Sequence, residues 1–585
     1  MSGERSAEPA SFRLPPWRAL PATAPSLLRD VPIVLAGFAL FYGLISVARS
    51  WTAPVDTRVA IQLDPRALPA YALFSVARIG IAYVLSLAVA VGYGSLAAHN
   101  RTAERLLIPL LDTLQSIPVL SFLPPVMLAM VALFPTRQLG LELGSILLIF
   151  TGQVWNMAFS VYSTTKMIPH DLLDATQAFR LSWWQRFVQL ELPYAAIGLV
   201  WNSMMSVAGG WFFLMACEMF VLGNRDLRLP GLGSYLQTAA NAGDIRAIIW
   251  GVVVMVAVIV LIDQVIWRPV IAWSEKFKFE QVEASEGARS PILALLRRST
   301  LLPRLLRIGV APIGEALMLR VAASSFSGQR RHARRPWVKW TTRILAAVAM
   351  VCIVYTTSRI GGALMTLSRA QAGALLWGAG ATFLRVELTI VLAAIWTIPV
   401  GVFVGLRPRL AAMAQPIAQV AASVPATALF PIVVLFFIRA GGGLGTGSVI
   451  LLLLGTQWYL LFNVIAGASA IPTDLREVCQ VYGLRGAQRW RRLLLPGIFP
   501  FLITGFVTAS GGAWNASIVA EYVRFQGRTL STAGLGAIIS RATDQGDFPL
   551  LLGATVLMSA IVVTVNRLVW RPLYALAATR FALEN

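Results

Sequence analysis

The chain contains 585 residues, of which 57% are hydrophobic and 13% are charged, and this balance excludes an array of soluble domains. Its 49 basic and 27 acidic residues give a net charge of +22. The arginines fall between apolar runs rather than along one soluble face, so we expect them in cytoplasmic loops of a membrane protein and expect no nucleic-acid partner.

Apolar runs long enough to cross about 30 Å of hydrocarbon recur along the whole chain. Residues 1–30 are polar and rich in proline, no signal peptide is apparent, and we predict a cytoplasmic tail. Two units, 31–273 and 343–585, then flank a basic linker at 274–342.

The sequence predicts an all-α polytopic membrane protein made of two repeated bundles of about six transmembrane helices each. The apolar segments are placed at 31–48, 71–97, 106–134, 143–165, 194–222 and 245–272, then at 343–358, 374–405, 411–438, 445–468, 497–522 and 549–574.

The two units are copies of one another. Ile-Pro-His-Asp-Leu at 168–172 returns as Ile-Pro-Thr-Asp-Leu at 471–475, an offset of 303. The same offset relates Leu192-Pro193 to Leu495-Pro496, Trp211 to Trp514, Glu218 to Glu521, Gly231-Leu232-Gly233 to Gly534-Leu535-Gly536, and Trp267-Arg268-Pro269 to Trp570-Arg571-Pro572. Upstream the offset is 307, which relates Arg78 to Arg385 and Ser116-Ile117-Pro118 to Ser423-Val424-Pro425. The units therefore align throughout, with one four-residue difference in length.

The third segment of each unit carries prolines that would break a helix unless neighbouring protein satisfied the freed carbonyls. These prolines are Pro118, Pro124 and Pro125, then Pro425 and Pro431. We expect the broken helices in the interior of the bundle.

Six spans per unit and a cytoplasmic start place the turns 167–193 and 471–496, together with the linker, in the cytoplasm. Arginine-rich stretches in the second turn and at the end of the linker agree with this topology. Linker residues 291–321 interleave leucine and isoleucine with arginine, which fits an amphipathic segment lying on anionic membrane lipid. A disordered linker is the alternative.

Each cytoplasmic turn has the pattern of a capped helix start. The predicted N-caps, with the acidic residues three positions later, are Asp171 with Asp174 and Asp474 with Glu477. The faces predicted from helical spacing are Leu172, Thr176 and Phe179 in the first turn, and Leu475, Cys479 and Tyr482 in the second. A short helix that presents an aromatic side chain suits docking to a partner, and a packed surface helix is the alternative.

These turns resemble the cytoplasmic loop of permeases of ATP-binding cassette importers, which carries a Glu-Ala-Ala triplet, a Gly and a later Leu-Pro. The matching residues are Glu477-Val478-Cys479, Gly483 and Leu495-Pro496 in the second unit, and Asp174-Ala175-Thr176, Arg180 and Leu192-Pro193 in the first. The triplet departs from the family pattern in both units. Arg180 also replaces the Gly, so the first helix is predicted to end without a left-handed cap.

The resemblance implies a type I importer permease fold in the bacterial inner membrane. It also implies two cytoplasmic ATPase subunits, which receive the loop helices, and an external substrate-binding protein. ATP and Mg would be bound by the ATPase, because no lysine of this chain follows a glycine and a phosphate-binding G-x-x-x-x-G-K-[ST] loop is therefore absent. We expect no cofactor in this chain.

The Trp-to-Glu stretch followed by Gly-Leu-Gly, present in both units, resembles more narrowly the nitrate, sulfonate and taurine branch of these permeases. The resemblance covers 71–273 and 374–580 and implies a fused, duplicated permease for a small anion such as a sulfonate, nitrate, bicarbonate or an organic carboxylate. One polypeptide would then form the whole translocation pathway.

Ionisable side chains inside spans are costly and suggest function. Arg78 and Arg385 begin the second span of their units, and Glu218 and Glu521 lie near the outer end of the fifth. One interpretation pairs Arg with Glu within each unit to join two helices. The other assigns these residues, together with Trp211 and Trp514, to the outer vestibule or gate of the anion pathway.

Two other classes of protein remain to be weighed. A secondary transporter driven by an ion gradient can also have internal repeats and broken helices, but its repeats are often inverted and it has no use for two docking helices. A membrane-embedded enzyme is disfavoured because His99, His170 and His332 are isolated and no His, Cys or carboxylate cluster converges. We therefore expect neither a catalytic nor a metal site.

Overall fold

A computed structural model of the chain describes residues 60–135, 138–222, 225–277, 357–439, 443–525 and 528–580, with the single positions 47, 51, 351, 354 and 355. The predicted tail, all but the first four residues of the linker, and most of the segments 31–48 and 343–358 lie outside these residues.

The described part is helical apart from two short hairpins. The first unit contains α1 (Leu68–His99), α2 (Arg101–Ser116), α3 (Leu123–Leu133), α4 (Leu139–Lys166), α5 (His170–Ala178), α6 (Leu192–Glu218), β1 (Val221–Leu222), β2 (Arg225–Asp226), α7 (Leu232–Ala242), α8 (Ile245–Ile262) and α9 (Arg268–Ser274). The second contains α10 (Arg369–Gly405), α11 (Pro408–Ser423), α12 (Ala426–Arg439), α13 (Leu444–Ser469), α14 (Thr473–Val481), α15 (Leu495–Ala520), β3 (Tyr522–Phe525), β4 (Arg528–Ser531), α16 (Leu535–Gln545), α17 (Phe548–Val565) and α18 (Arg571–Arg580). Strands β1 and β2 pair antiparallel, as do β3 and β4.

Within the described residues, eight helices are long and apolar enough to cross a membrane, and two bent pairs raise the number to ten if each pair counts as one span. The predicted segments 71–97, 143–165, 245–272, 374–405, 445–468 and 549–574 lie inside these helices. The segments 194–222 and 497–522 were predicted too long, because α6 ends at Glu218 and α15 ends at Ala520, each followed by a strand.

The third segment of each unit is broken where the prolines predicted a break. Helices α2 and α3 meet at 85°, and α11 and α12 meet at 79°. Ile117 and Val424, which directly precede Pro118 and Pro425, have extended backbone with ψ of 129° and 114°. A residue before proline is excluded from the helical region by the proline ring, so each helix must end there.

Four π-helical turns, which the sequence analysis missed, lie beside other prolines. They span Phe187–Glu191, Asp263–Trp267, Trp490–Leu494 and Asn566–Trp570. Each ends two residues before a proline. Because proline lacks an amide hydrogen and its ring crowds the carbonyl four residues earlier, the helix widens there instead of closing an ordinary turn.

The two units share one interior. The largest buried cluster joins Met204 and Trp211 of α6 to Phe430 and Val434 of α12. Because one buried cluster contains side chains of both units, the units are interlocked rather than side by side, and any site between them is built from both.

Small residues set the approach of the long helices within each unit. A Cβ atom on Gly94 of α1 would lie 2.7 Å from the Ala158 carbonyl oxygen of α4, and one on Gly405 of α10 would lie 2.6 Å from the Ile465 carbonyl oxygen of α13. Membrane helices gain stability from such close backbone contact, because lipid supplies no hydrophobic drive for association.

We predict that Gly405→Ala lowers the melting temperature of the purified chain, because its methyl group must push α10 away from α13, at a cost of about 1–3 kcal/mol. Gly380→Ala, on the same helix with no atom within 4 Å of the new Cβ, is the matched control. Equal melting temperatures for the two variants would contradict the assignment.

Candidate functional site

A buried arginine with two carboxylates joins the helices of the first unit. Arg78 of α1 donates through Nε and Nη2 to Glu142 of α4 at 2.6 and 2.8 Å, and through Nη1 to Glu218 at the end of α6 at 2.7 Å. All three side chains are at most 2% exposed. Three helices are therefore tied together by charge-assisted hydrogen bonds.

Glu218 also caps the start of α7. Its carboxylate accepts a hydrogen bond from the Gly233 amide at 2.7 Å and one from the Ser75 hydroxyl at 2.6 Å, and Ser75 in turn accepts from the Leu232 amide at 3.0 Å. The first amides of a helix have no partner within the helix, so a buried helix start needs acceptors of this kind.

The second unit repeats this arrangement with one carboxylate fewer. Arg385 pairs with Glu521, which accepts from the Thr382 hydroxyl and the Gly536 amide, both at 2.8 Å. Thr382 accepts from the Leu535 amide at 2.8 Å. Arg385 donates to the Ala533 carbonyl at 3.0 Å, as Arg78 does to the equivalent Pro230 carbonyl at 2.8 Å, and it also donates to the Thr532 hydroxyl at 3.3 Å.

The Gly-Leu-Gly motif exists to admit the carboxylate. Gly231 and Gly534 have extended backbone that any residue can adopt, but a Cβ atom there would lie 2.3 and 2.1 Å from the carboxylates of Glu218 and Glu521. A side chain at either position would push the carboxylate off the helix start.

Of the two interpretations of these charges, the structure has the pairing within each unit. Arg78, Trp211 and Trp514, which the other interpretation assigns to the vestibule or gate, are each at most 1% exposed and packed inside the bundle. The sequence analysis missed Glu142, Ser75 and Thr382. Glu142 could have been found as an acidic residue in an apolar run, whereas a serine or threonine in a span carries no such signal.

A cavity of about 410 Å³ lies between the units, at the end of the bundle where α7 and α16 begin. Its walls come from both units in repeat-related pairs. These include Leu236 with Ile539, Gln237 with Ser540, and Asn241 with Asp544. Equivalent surfaces of two repeats meet only around their pseudo-twofold axis, so the cavity lies on that axis. None of the six residues that the sequence analysis assigned to the pathway or gate lines it.

The cavity is polar on one side and asymmetric in charge. Arg524 pairs with Asp544 at 2.5 Å, and the Tyr522 hydroxyl donates to the same carboxylate at 2.5 Å. Burial and the neighbouring Asp544 carboxylate raise the pKa of Tyr522, so this hydroxyl stays a donor beyond the pH at which a tyrosine ordinarily ionises. Arg228 donates to Thr238 at 2.8 Å. The charged residues among the described lining are thus two arginines and one aspartate, a formal charge of +1.

The opposite end of the bundle carries the two short helices α5 and α14. Asp171 and Asp474 are not the N-caps, because the helices begin after Pro169 and Pro472 and have no side-chain cap. The prediction that Arg180 forbids a left-handed cap is also wrong. Arg180 has a φ of 50° and Gly483 a φ of 64°.

Both short helices end in the same hydrogen-bonded turn. The Leu181 amide donates to the Thr176 carbonyl and the Leu484 amide to the Cys479 carbonyl, both at 2.9 Å, which defines a Schellman motif. Arg180 therefore takes a conformation that a glycine adopts at lower cost.

Each predicted docking face includes one residue that the structure places on the buried side of its helix. Thr176 and Cys479 point inward and are buried, while Phe179 and Tyr482 are 78% and 77% exposed. The exposed residues include Asp174, Ala175 and Ala178 of α5 with Phe179 directly after it, and Glu477, Val478 and Val481 of α14 with Tyr482 directly after it. Within the residues the structure describes, no three His, Cys, Asp or Glu side chains are placed to hold a metal ion.

A multi-pass membrane bundle made of two repeats, with a polar cavity on their axis and paired exposed helices at the far end, defines a transport component. Comparison with known proteins gives the family. The chain belongs to the binding-protein-dependent transport system inner membrane components, which match residues 90–266 and 397–576. The two matched stretches are the two repeats.

Individual relatives are similar over about a third of the chain. The bicarbonate transport system permease protein CmpB of Synechococcus elongatus is 28% identical over 195 residues, covering 33% of this chain and 67% of CmpB. The nitrate import permease protein NrtB of Leptolyngbya laminosa is 26% identical over 195 residues, covering 33% and 66%. The taurine transport system permease protein TauC of Escherichia coli is 28% identical over 204 residues, covering 34% and 68%.

We predict that the buried Arg–Glu networks of the two units need different sets of substitutions to recover stability. In the second unit, Glu521→Gln alone should destabilise by roughly 3–5 kcal/mol, and adding Arg385→Gln should restore much of the loss, because no charge is left unpaired. In the first unit, Arg78→Gln with Glu218→Gln still leaves Glu142 buried without its arginine, so recovery requires Glu142→Gln as well. Thermal unfolding of the single, double and triple variants measures this. Full recovery by the Arg78, Glu218 double variant would refute it.

Proposed function

We propose that this chain is the permease subunit of an ATP-driven importer in the bacterial inner membrane, and that it carries a small anion through the cavity between its units. The cavity on the repeat axis is the observation that carries the proposal. A fused pair of permease units supplies both walls of such a pathway in one polypeptide, as the paired lining residues require.

The chemistry of the cavity supports an anion. Two arginines, Arg228 and Arg524, lie in its described lining and offer donors that suit an anion, and a volume of about 410 Å³ accommodates a small one. Bicarbonate and nitrate, named in the relatives CmpB and NrtB, are monovalent anions, and taurine in TauC carries a sulfonate. A sulfonate, nitrate, bicarbonate or organic carboxylate all fit this chemistry.

The exposed short helices support coupling to separate ATPase subunits. Val478, Val481 and Tyr482 form an apolar patch on α14, and each is at least 49% exposed. Apolar side chains exposed together at the aqueous end of a membrane bundle favour a docked protein. We assign Asp174, Ala175, Phe179 and Arg180 of the first unit, and Glu477, Val478, Tyr482 and Gly483 of the second, to the ATPase contact. Buried Thr176 and Cys479 hold the helices to the bundle instead.

In this proposal two cytoplasmic ATPases bind at the α5 and α14 end and hydrolyse ATP with Mg. An external substrate-binding protein delivers the anion at the cavity end. The basic linker and the tail face the cytoplasm, where anionic lipid attracts them. The chain itself performs no hydrolysis.

We predict that Tyr482→Ala reduces recovery of the co-expressed ATPase and abolishes ATP-driven uptake without lowering the melting temperature of the chain, because an exposed side chain contributes little to folding. Gln480→Ala, on the opposite flank of the same helix, is the control and should behave as wild type. Full uptake by a Phe179→Ala, Tyr482→Ala double variant would exclude α5 and α14 as the docking helices.

We predict that Arg228→Gln lowers anion uptake in proteoliposomes by roughly tenfold, the size expected for loss of one charged hydrogen bond, and that Arg228→Lys retains most of it. Arg246→Gln removes an exposed charge from the same end of the bundle without touching the cavity, so its uptake should be unchanged. Equal losses in the Arg228→Gln and Arg246→Gln variants would show that the cavity charge has no special part in uptake.

A further inference from the structure

Two polar junctions join the units away from the cavity. In the first, Gln419 of α11 donates to Asp263 at 3.0 Å, and Arg268 lies 3.4 Å from the other carboxylate oxygen. Asp263 belongs to the first unit and is 8% exposed, and Gln419 belongs to the second. In the other junction, Asp112 of α2 in the first unit pairs with Arg571 of the second.

The two junctions occupy the same place in the repeat. The offsets of 303 and 307 make Asp263 equivalent to Asn566, Arg268 to Arg571, and Asp112 to Gln419. Each junction therefore combines one position from α2 or α11 with two positions from the last span of the other unit. Gln419 contacts Asp263 across the units in the first junction and Asp112 contacts Arg571 in the second, so equivalent regions of the two units meet twice, once in each direction.

The aspartate occupies a different helix in each junction. In the first junction it is Asp263, on the last span of the first unit, and Gln419 is its partner on α11. In the second it lies on α2, with Asn566 at the position of the last span. Each junction consequently holds one aspartate and one arginine among its three positions, and each is formally neutral.

The junctions are formally neutral only when a first unit pairs with a second unit. Two copies of the first unit would bring Asp112 and Asp263 together around Arg268, a formal charge of −1 at each junction. Two copies of the second unit would bring Gln419 and Asn566 together around Arg571, a formal charge of +1. The arginine side chains are 41% and 51% exposed, but the side chain of Asp263 is only 11% exposed and that of Asp112 only 32%, so a second carboxylate or a missing one at these positions is incompletely screened by solvent. Such charge patterns are how interfaces reject wrong partners.

We infer that these junctions select the pairing of the first unit with the second and reject pairing of like units from two copies of the chain. The occupant of each unit's junction surface is the opposite unit. This selection does not depend on substrate or ATP, so it stands or falls apart from the proposed transport function.

The first test uses thermal unfolding of the full-length chain at about pH 8, where carboxyl groups with ordinary pKa values are ionised. Gln419→Asp gives the first junction two carboxylates and Asp263→Asn gives it none, so each should lower the melting temperature. The Asp263→Asn, Gln419→Asp exchange copies the pattern of the second junction and should recover most of the loss. Gln480→Asp, which adds a carboxylate on exposed α14, should have no effect. An exchange variant no more stable than the weaker single variant would overturn the inference.

The second test asks whether charge chooses the partner. One full-length chain carries Gln419→Asp with Asn566→Asp, so that positions 112, 263, 419 and 566 all hold aspartate. A second chain carries Asp112→Gln with Asp263→Asn, so that none of these four positions holds an acidic residue. Each should fold poorly alone, because its own units no longer match. With different affinity tags and co-expressed, they should be recovered together, since the acidic units of one chain then face the neutral units of the other. Recovery of either chain alone at the wild-type level, or absence of a mixed complex, would overturn the inference.

Discussion

Glu218 and Glu521 hold buried charge where three helices and a chain reversal meet in each unit. A helix that starts inside a membrane bundle has amides that neither water nor lipid can satisfy. A carboxylate satisfies them at α7 and α16, an arginine on the second span balances the carboxylate, and a serine or threonine completes the network. The first glycine of each Gly-Leu-Gly follows from this, because a Cβ atom there would occupy the place of the carboxylate, whereas a Cβ on Gly536 would meet the backbone of α15. The walls of the cavity are placed by α7 and α16, so its shape depends on these two networks.

Duplication preserved this backbone chemistry and allowed the charges around it to diverge. Arg78 binds a second carboxylate that Arg385 lacks. The cavity likewise has Asn241 on one wall where the other has Asp544. A chain that carries both units can afford such differences, since each unit meets only one partner. A pathway with unlike walls presents its charge to one side of a passing ion rather than uniformly around it.

The sequence predicted the parts of the fold that depend on repetition and on proline. Apolar runs located the described spans, two of them with ends placed too late, the repeat offsets related the spans of the two units, and Pro118 and Pro425 located the breaks. It failed where the answer depends on three-dimensional neighbours. The π turns arise from prolines that lie inside continuous helices, and apolar content does not distinguish these from the prolines that break. The faces of α5 and α14 were misassigned because helical spacing shows which residues share a face but does not show which face packs against the bundle. The cavity residues lie on elements that meet only across the two units, beyond the reach of any local pattern.

The second unit joins its two ends through one helix. Cys479 of α14 packs in the same buried cluster as Leu494 and Ile498, at the start of α15. The far end of that helix contributes Ile518 and Val519 to the cavity wall and is followed directly by the Glu521 that caps α16. A displacement of α14 that preserves its packing must therefore move the start of α15. Because Glu521 ties the end of α15 to α10 and α16, such a movement cannot be absorbed at that end without separating a buried charge from its partners. In the described part of the second unit the backbone is irregular at the wide turns Trp490–Leu494 and Asn566–Trp570 and at the break before Pro425, and Trp490–Leu494 is the one that directly precedes α15.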